Sequence, residues 1–182
     1  MKNLLIIISA IVVASCAEPL ARKPVSQSSG SYINESVARN KEMIAAQEKF
    51  IQNMIAADSL NSYEASANGF WYTYVVKDTL NAQNPVVGDL VLFSHNLETL
   101  DGRIIKSKEE IGNQVTQIDQ SNQDLISGIR EGLKIMKEGE TMTFLLPSHK
   151  AFGYYGLENS IGSNIPIKTT VTLLEIKDQP KD

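Results

Sequence analysis

The residues of this chain whose spacing suggests chemistry are apolar. In the run Asp124-Leu-Ile-Ser-Gly-Ile-Arg-Glu-Gly-Leu-Lys-Ile-Met136, Leu125, Ile126, Ile129, Leu133 and Met136 fall on one side of a short helix. Further on, Leu146-Pro-Ser-His-Lys-Ala-Phe-Gly-Tyr-Tyr-Gly156 reads as a strand end followed by a glycine-punctuated loop with Phe152 near its tip. Together these can line a dry pocket that contains no acid, base or metal, and such a pocket suits a reaction in which no proton has to be moved.

Other chemistries lack their parts. There is no glycine-rich phosphate loop ending in Lys and Ser or Thr, no nucleophile elbow and no zinc spacing. His95 and His149 have no accompanying Cys, His or carboxylate constellation, so neither is expected to hold a metal, and no cofactor is implied. Tyr154 and Tyr155 admit two readings, a stacking pair for a sugar or base, or turn aromatics beside a pocket.

These residues need elements to position them. Asn68 to Val76 is aromatic and β-branched between turn residues and predicts a strand; Asp89 to Leu97 predicts a second, with a turn at Leu100-Asp-Gly-Arg103. Twofold alternation puts Val91, Phe93, His95 and Leu97 on one face, so His95 looks inward. Thr141 to Leu146 and Thr169 to Ile176 complete the clear strands, while Ser107 to Gln123 is too polar to assign. Several strands with one short helix between them predict an α+β domain, an antiparallel sheet curled around that helix, over about residues 68–180.

Ahead of it, residues 33–60 form an amphipathic helix. Val37, Ile44 and Ile51 recur every seven positions with Met43, Phe50, Met54 and Ile55 beside them, and Asn34 can cap the start. The stripe over residues 34–57 must be covered, either by the following domain or by a second copy in a homodimer. Residues 17–32, with Ser26-Gln-Ser-Ser-Gly-Ser31, read as a flexible tether.

The first sixteen residues bear on location. Lys2, the apolar stretch Leu4 to Val13 and the small residues before Cys16 resemble a bacterial lipoprotein signal. Cleavage there would leave the single cysteine of the chain at the new N-terminus carrying lipid. The expectation is a lipid-anchored protein of the cell envelope, on the periplasmic face of the outer membrane. A formal net charge of -4 on 182 residues, without a basic run, argues against nucleic acid as a partner and leaves the lipid as the route to a membrane.

With its motifs in order, the chain resembles the FKBP-type peptidyl-prolyl isomerases, and among them the gliding-motility-associated isomerase lipoproteins of gliding bacteria. The pieces are Gly88-Asp89, Leu100-Asp101-Gly102, Leu125-Ile126-x-Gly128-x-x-Glu131-Gly132-Leu133-x-x-Met136-x-x-Gly139-Glu140, Ala151-Phe152-Gly153-x-x-Gly156, and Ile161-Gly-Ser-Asn164 where the family has Ile-Pro-Pro-Asn. The resemblance implies an FKBP-like fold and catalysis of cis–trans exchange before proline in Xaa-Pro segments of exported proteins. It also implies a pocket. Phe152 takes the place of the loop tyrosine, Ile129 of a tryptophan floor, His95 of a tyrosine and Ile105 of a phenylalanine; Leu125 and Ile126 are the helix-entry pair and Ile161 lies on the returning loop. The Ile126 N–H would donate to the substrate carbonyl. Lys106 stands where aspartate is usual and Leu157 where some members have histidine.

Aliphatic residues at these positions also fit a plain core. Two functions follow: an envelope isomerase that assists folding, or a catalytically weak FKBP-like binding module serving as chaperone or scaffold of an envelope machine for gliding or secretion. His95, Lys106 and Ile129 favour the second, Phe152 and the Ile161 loop the first.

Overall fold

The computed structural model describes residues 30–78, 83–119 and 125–177. Cys16, the presumed tether as far as residue 29, and Asp124 lie outside the described residues. The chain divides into two compact units, Met1–Val37 and Ala38–Asp182, with the boundary inside the first helix.

That helix, α1 (Gly30–Ala57), begins a turn before Asn34, which therefore lies inside it and not at its cap. Ile33, four residues before Val37, adds one apolar position to the stripe at the start of the helix. In the first unit Tyr32, Ile33 and Val37 are exposed. In the second, Met43, Ile44, Gln47, Met54 and Ile55 are half-buried on the face that carries the fully buried Ile51, whereas Phe50 stays out in solvent. Asp58 ends the helix, its carboxylate accepting the Leu60 N–H at 2.9 Å and the Asn61 N–H at 3.2 Å.

The strands are β1 (Glu64–Ala65), β2 (Trp71–Val76), β3 (Leu90–His95), β4 (Leu97–Thr99), β5 (Ile104–Lys106), β6 (Gln114–Gln117), β7 (Thr141–Leu146) and β8 (Ile167–Lys177). All pair antiparallel, in the order β1-β2-β7-β8-β3-β6, with β4 on β8 and β5 on β4. The eleven-residue β8 is the spine. One edge of it takes β7 from Thr141↔Thr172 to Leu146↔Ile167; the other takes β3 and then β4. Asn96 makes the change of strand possible. Its side-chain carbonyl accepts the Thr170 N–H at 2.7 Å, its main-chain carbonyl accepts the Thr169 hydroxyl at 2.6 Å, and so the break in the ladder leaves no bare acceptor.

Two further α-helices lie among the described residues. The polar stretch left unassigned from sequence holds α2 (Lys108–Ile111) and the edge strand β6. Ser107 caps α2 and Glu110 returns the bond to the Ser107 N–H at 2.7 Å, a reciprocal capping box. The third, α3 (Ser127–Leu133), lies against β7 with Ile129 and Leu133 buried.

Gly128 and Gly132 permit that approach. A Cβ on Gly128 would sit 2.6 Å from the Leu146 methyls and 2.9 Å from the Lys150 carbonyl, and one on Gly132 would sit 2.8 Å from the Phe144 ring. The lost helix propensity at two glycines, about 1 kcal/mol each, is the cost of bringing the helix down onto the sheet. The core gathers Val91, Phe93, Leu97, Ile129, Leu133, Met136, Met142, Phe144, Val171 and Leu173 between sheet and helix. Phe70 closes one end, edge-on to Phe144 at 5.7 Å.

Candidate functional site

β3 delivers His95. The alternation read from sequence holds, with Val91, Phe93, His95 and Leu97 all buried. The imidazole stacks on Phe93 at 5.6 Å, and its Nδ1 has no hydrogen-bond partner among the described residues. Burial, followed by the nearby Lys108 ammonium, pushes its pKa down to about 4. At neutral pH His95 is uncharged and adds no ion to its surroundings.

α3 delivers the next group. Ile126 is its N-cap residue, with φ -57° and ψ 142°, and no side chain among the described residues caps the helix. The first N–H groups therefore have no acceptor within the helix. Leu125 and Ile126 are half-buried at the mouth of the turn, whereas Ile129, one turn deeper, is only 1 % exposed.

The segment between β7 and β8 carries Phe152 and Ile161. A 3₁₀ turn (Ser148–Lys150) opens it, and a set of main-chain bonds holds it. The Gly153 N–H donates to the Ser148 carbonyl at 2.8 Å, the Gly156 N–H to the Phe152 carbonyl at 3.1 Å, and the Asn164 N–H to the Gly153 carbonyl at 2.7 Å. Leu157 and Ile161 form a bridge, bonded in both directions at 2.8 Å. Gly156, at φ +66°, is where glycine is required. A side chain there would overlap the Ile161 carbonyl and meet the Gly162 carbonyl carbon at 2.9 Å.

Most of the sequence-predicted residues border the hydrophobic core of the domain. Ile129 and Ile161 belong to its buried part, and Ile105, Leu125, Ile126, Phe152 and Leu157 are partly buried against it. His95 joins through its stack on Phe93. Lys106 is half-buried at the end of β5, opposite Leu97. His149 is exposed, as expected of loop surface, and the partial desolvation of its ring, followed by the neighbouring Lys150 charge, lowers its pKa. Tyr154 and Tyr155 are largely exposed and meet edge to face at 5.7 Å.

Buried carboxylates nearby are structural. Glu140 accepts the Lys137 N–H at 2.9 Å and the Asp78 N–H at 3.1 Å; Asp89 accepts the Val86 N–H at 2.8 Å. Among the described residues no three His, Cys, Asp or Glu side chains are grouped to hold a metal ion, and no helix is long and apolar enough to cross a membrane.

One contributor escaped the sequence reading. Gln47 of α1 donates to the Asn164 carbonyl and accepts from the Ser148 N–H, each at 2.9 Å. Its partners are main-chain atoms more than a hundred residues away, and no side-chain pattern announces them.

A sheet wound around one short, glycine-faced helix, with an aromatic loop returning over the helix entry, defines the FKBP class of fold. Residues 81–174 match the family of FKBP-type peptidyl-prolyl cis-trans isomerases, and the chain belongs to it. A relative from Neisseria meningitidis serogroup B, described as a probable FKBP-type peptidyl-prolyl cis-trans isomerase FkpA, is 28% identical over 130 residues, covering 71% of this chain and 44% of its own. The human peptidyl-prolyl cis-trans isomerase FKBP9 is 27% identical over 89 residues, 49% of this chain and 15% of that protein. The chain thus spans less than half the length of these curated relatives.

Solved structures agree in fold. FkpA from Escherichia coli superposes with a TM-score of 0.60 at 21% identity, over 99% of this chain and 84% of that one. A peptidyl-prolyl cis-trans isomerase from Pseudomonas syringae gives 0.59 at 21% identity, over 76% and 96%.

Proposed function

We propose that this chain catalyses cis–trans exchange at Xaa-Pro bonds of exported polypeptides, using the apolar surface formed by Phe152, Ile126, Leu125, Ile105 and Ile161 over Ile129 and His95. The observation that carries this reading is the set of half-buried apolar side chains, from β5, the entry of α3 and the held loop, on one buried cluster. Rotation about the prolyl amide faces a barrier of about 20 kcal/mol and takes on the order of 10 to 100 s unaided. The planar form owes its strength to a charge-separated resonance that water favours. A dry surface disfavours that form, and a shape that fits the twisted amide adds binding the planar one does not receive. The Ile126 N–H, at the open end of α3, is the donor to the substrate carbonyl in this reading. A neutral His95 fits such a surface.

A protease-coupled assay on Ala-Xaa-Pro-Phe peptides with the lipid-free chain tests the proposal. Acceleration should fall about tenfold in Phe152→Ala, a loss near 1.4 kcal/mol of transition-state binding, and persist in Lys49→Ala. No acceleration at micromolar protein would turn the reading to the second one, a binding module of chaperone or scaffold type. That reading is favoured by the aliphatic, fully covered Ile129.

Two further features belong to the proposal. Cys16 carries the lipid that fixes the protein to the envelope, on the periplasmic side of the outer membrane; the support is the lipobox-like sequence before it. Palmitate incorporation should disappear in Cys16→Ser, and label that survives the change refutes the anchor site. A second copy pairs through residues 34–57 of α1, where the apolar Val37 and Phe50 stand in solvent. A monomer in sedimentation equilibrium at about 100 μM would rule that out, because an association weaker than this stabilises a pair by less than about 5.5 kcal/mol.

A further inference from the structure

We propose that Gln47 is a positioning residue of the prolyl site, which makes α1 a working part of that site. The inference rests on the isomerase reading above and adds a residue that no sequence motif supplies. One planar amide joins the two roots of the loop that carries Phe152. Its oxygen accepts from Ser148, the first residue after Pro147 at the end of β7, and its nitrogen donates to Asn164, three residues before β8 begins.

The assignment of oxygen and nitrogen is fixed by the partners, because a main-chain N–H can only donate and a carbonyl can only accept. Glutamine alone supplies a donor and an acceptor at this reach. Glutamate lacks the donor and would set a negative charge against the Asn164 carbonyl; lysine lacks the acceptor; asparagine is one methylene short. The clasp closes on groups that are themselves bonded into the loop. Ser148 accepts from Gly153 through its carbonyl, and Asn164 donates to the Gly153 carbonyl, so both roots meet next to Phe152. Asn164 is held at φ +57°, a left-handed conformation that a free chain visits seldom.

The position of Gln47 is set from below. Ile51, one turn on along the same face of α1, is fully buried, and this fixes the helix rotation that aims the amide at the loop. Loss of the clasp leaves the sheet and α3 intact but lets the loop sample conformations in which Phe152 is misplaced. Only the competent fraction binds substrate, so the apparent affinity falls in proportion to that fraction.

The test compares the lipid-free wild type with Gln47→Met, of similar length but unable to form either bond, and Gln47→Glu, which retains only the acceptor. In Gln47→Met the amides of Ala151, Gly153, Leu157 and Asn164 should exchange with deuterium about tenfold faster, and in Gln47→Glu, which loses one bond of the two, about threefold faster, while those of β3 and β8 remain slow. KM for an Xaa-Pro peptide should rise about fivefold, with kcat nearly unchanged. Exchange accelerated everywhere with kcat lowered as well would show that Gln47 holds the whole fold and overturn the positioning role. Unchanged exchange in the loop overturns the proposal, and so does faster exchange with unchanged KM. If the wild type has no turnover but binds the peptide, the function falls and the clasp is judged by peptide affinity in place of KM. A wild type with neither turnover nor affinity sinks both.

Discussion

Acidification from pH 7 to pH 4 should destabilise the folded chain by about 3 kcal/mol through His95 alone, and His95→Phe should remove that part of the pH dependence. Burial of the imidazole, followed by the field of Lys108, lowers its folded pKa to about 4; the ring stacks on Phe93 and its Nδ1 has no partner among the described residues. In the unfolded chain it takes up a proton near its ordinary 6.5. Between these two values the unfolded state holds a proton that the folded state refuses, and stability falls as pH drops through that window. Above about 6.5 neither state is charged at this position, and the contribution is flat.

Carboxylates titrate over part of the same range, so the quantity to measure is the difference between wild type and variant. Urea midpoints followed by the fluorescence of Trp71 at pH 7, 5.5 and 4 supply it. The two chains should diverge as the pH falls, with His95→Phe the more stable at pH 4; parallel slopes would show that His95 escapes burial or finds an acceptor. The phenyl ring also keeps the stack on Phe93 while removing the orphaned nitrogen, so the variant should not be weaker at pH 7.

Much of this was legible in the sequence, and particular residues show why. β7 occupies Thr141–Leu146 as read, because a β-branched and apolar run between Gly139 and Pro147 leaves little choice. The inward set on β3 was legible because the sheet buries one face and a slip of one residue would reverse every side chain. α2 and β6 were missed for the opposite reason. β6 is a largely polar strand at the sheet edge beside β3, and α2 has one turn and no buried residue, so apolar periodicity is silent for both. A signal existed in Ser107-x-x-Glu110, which is the pattern of a capping box.

The site divides along the same line. The residues expected to contribute apolar surface came from the helix spacing and from the family resemblance; those that fix the backbone were not anticipated. Asn96 and Gln47 act on main-chain atoms supplied by β8 and by the loop, contacts that only the completed fold creates. The early start of α1 belongs with them. A possible cap at Asn34 lost to the continuation of the apolar repeat through Ile33, since a capping bond contributes about 1 kcal/mol and the stripe extends without it.

Ile129→Trp carries the second large effect, and its sign separates a filled cleft from an open one. In an isomerase limited by its aliphatic floor, an indole would widen the contact with the prolyl ring and raise kcat/KM. The surroundings of Ile129 point the other way. The side chain is 1 % exposed, and the flanking Gly128 and Gly132 already bring α3 so close to Leu146 and Phe144 that a single added carbon would collide. The helix cannot move nearer to the sheet to reposition a larger ring. It can only lift, and lifting strips contacts from Leu133 while carrying Ile126 away from the loop. Overpacking of this kind costs about 3 kcal/mol, so thermal unfolding should occur several degrees lower and peptide turnover should drop with it. A tryptophan variant that melts with the wild type and isomerises faster would mean that space for the ring lies between Ile126 and Phe152, and that the aliphatic residue at 129 is what holds the rate down.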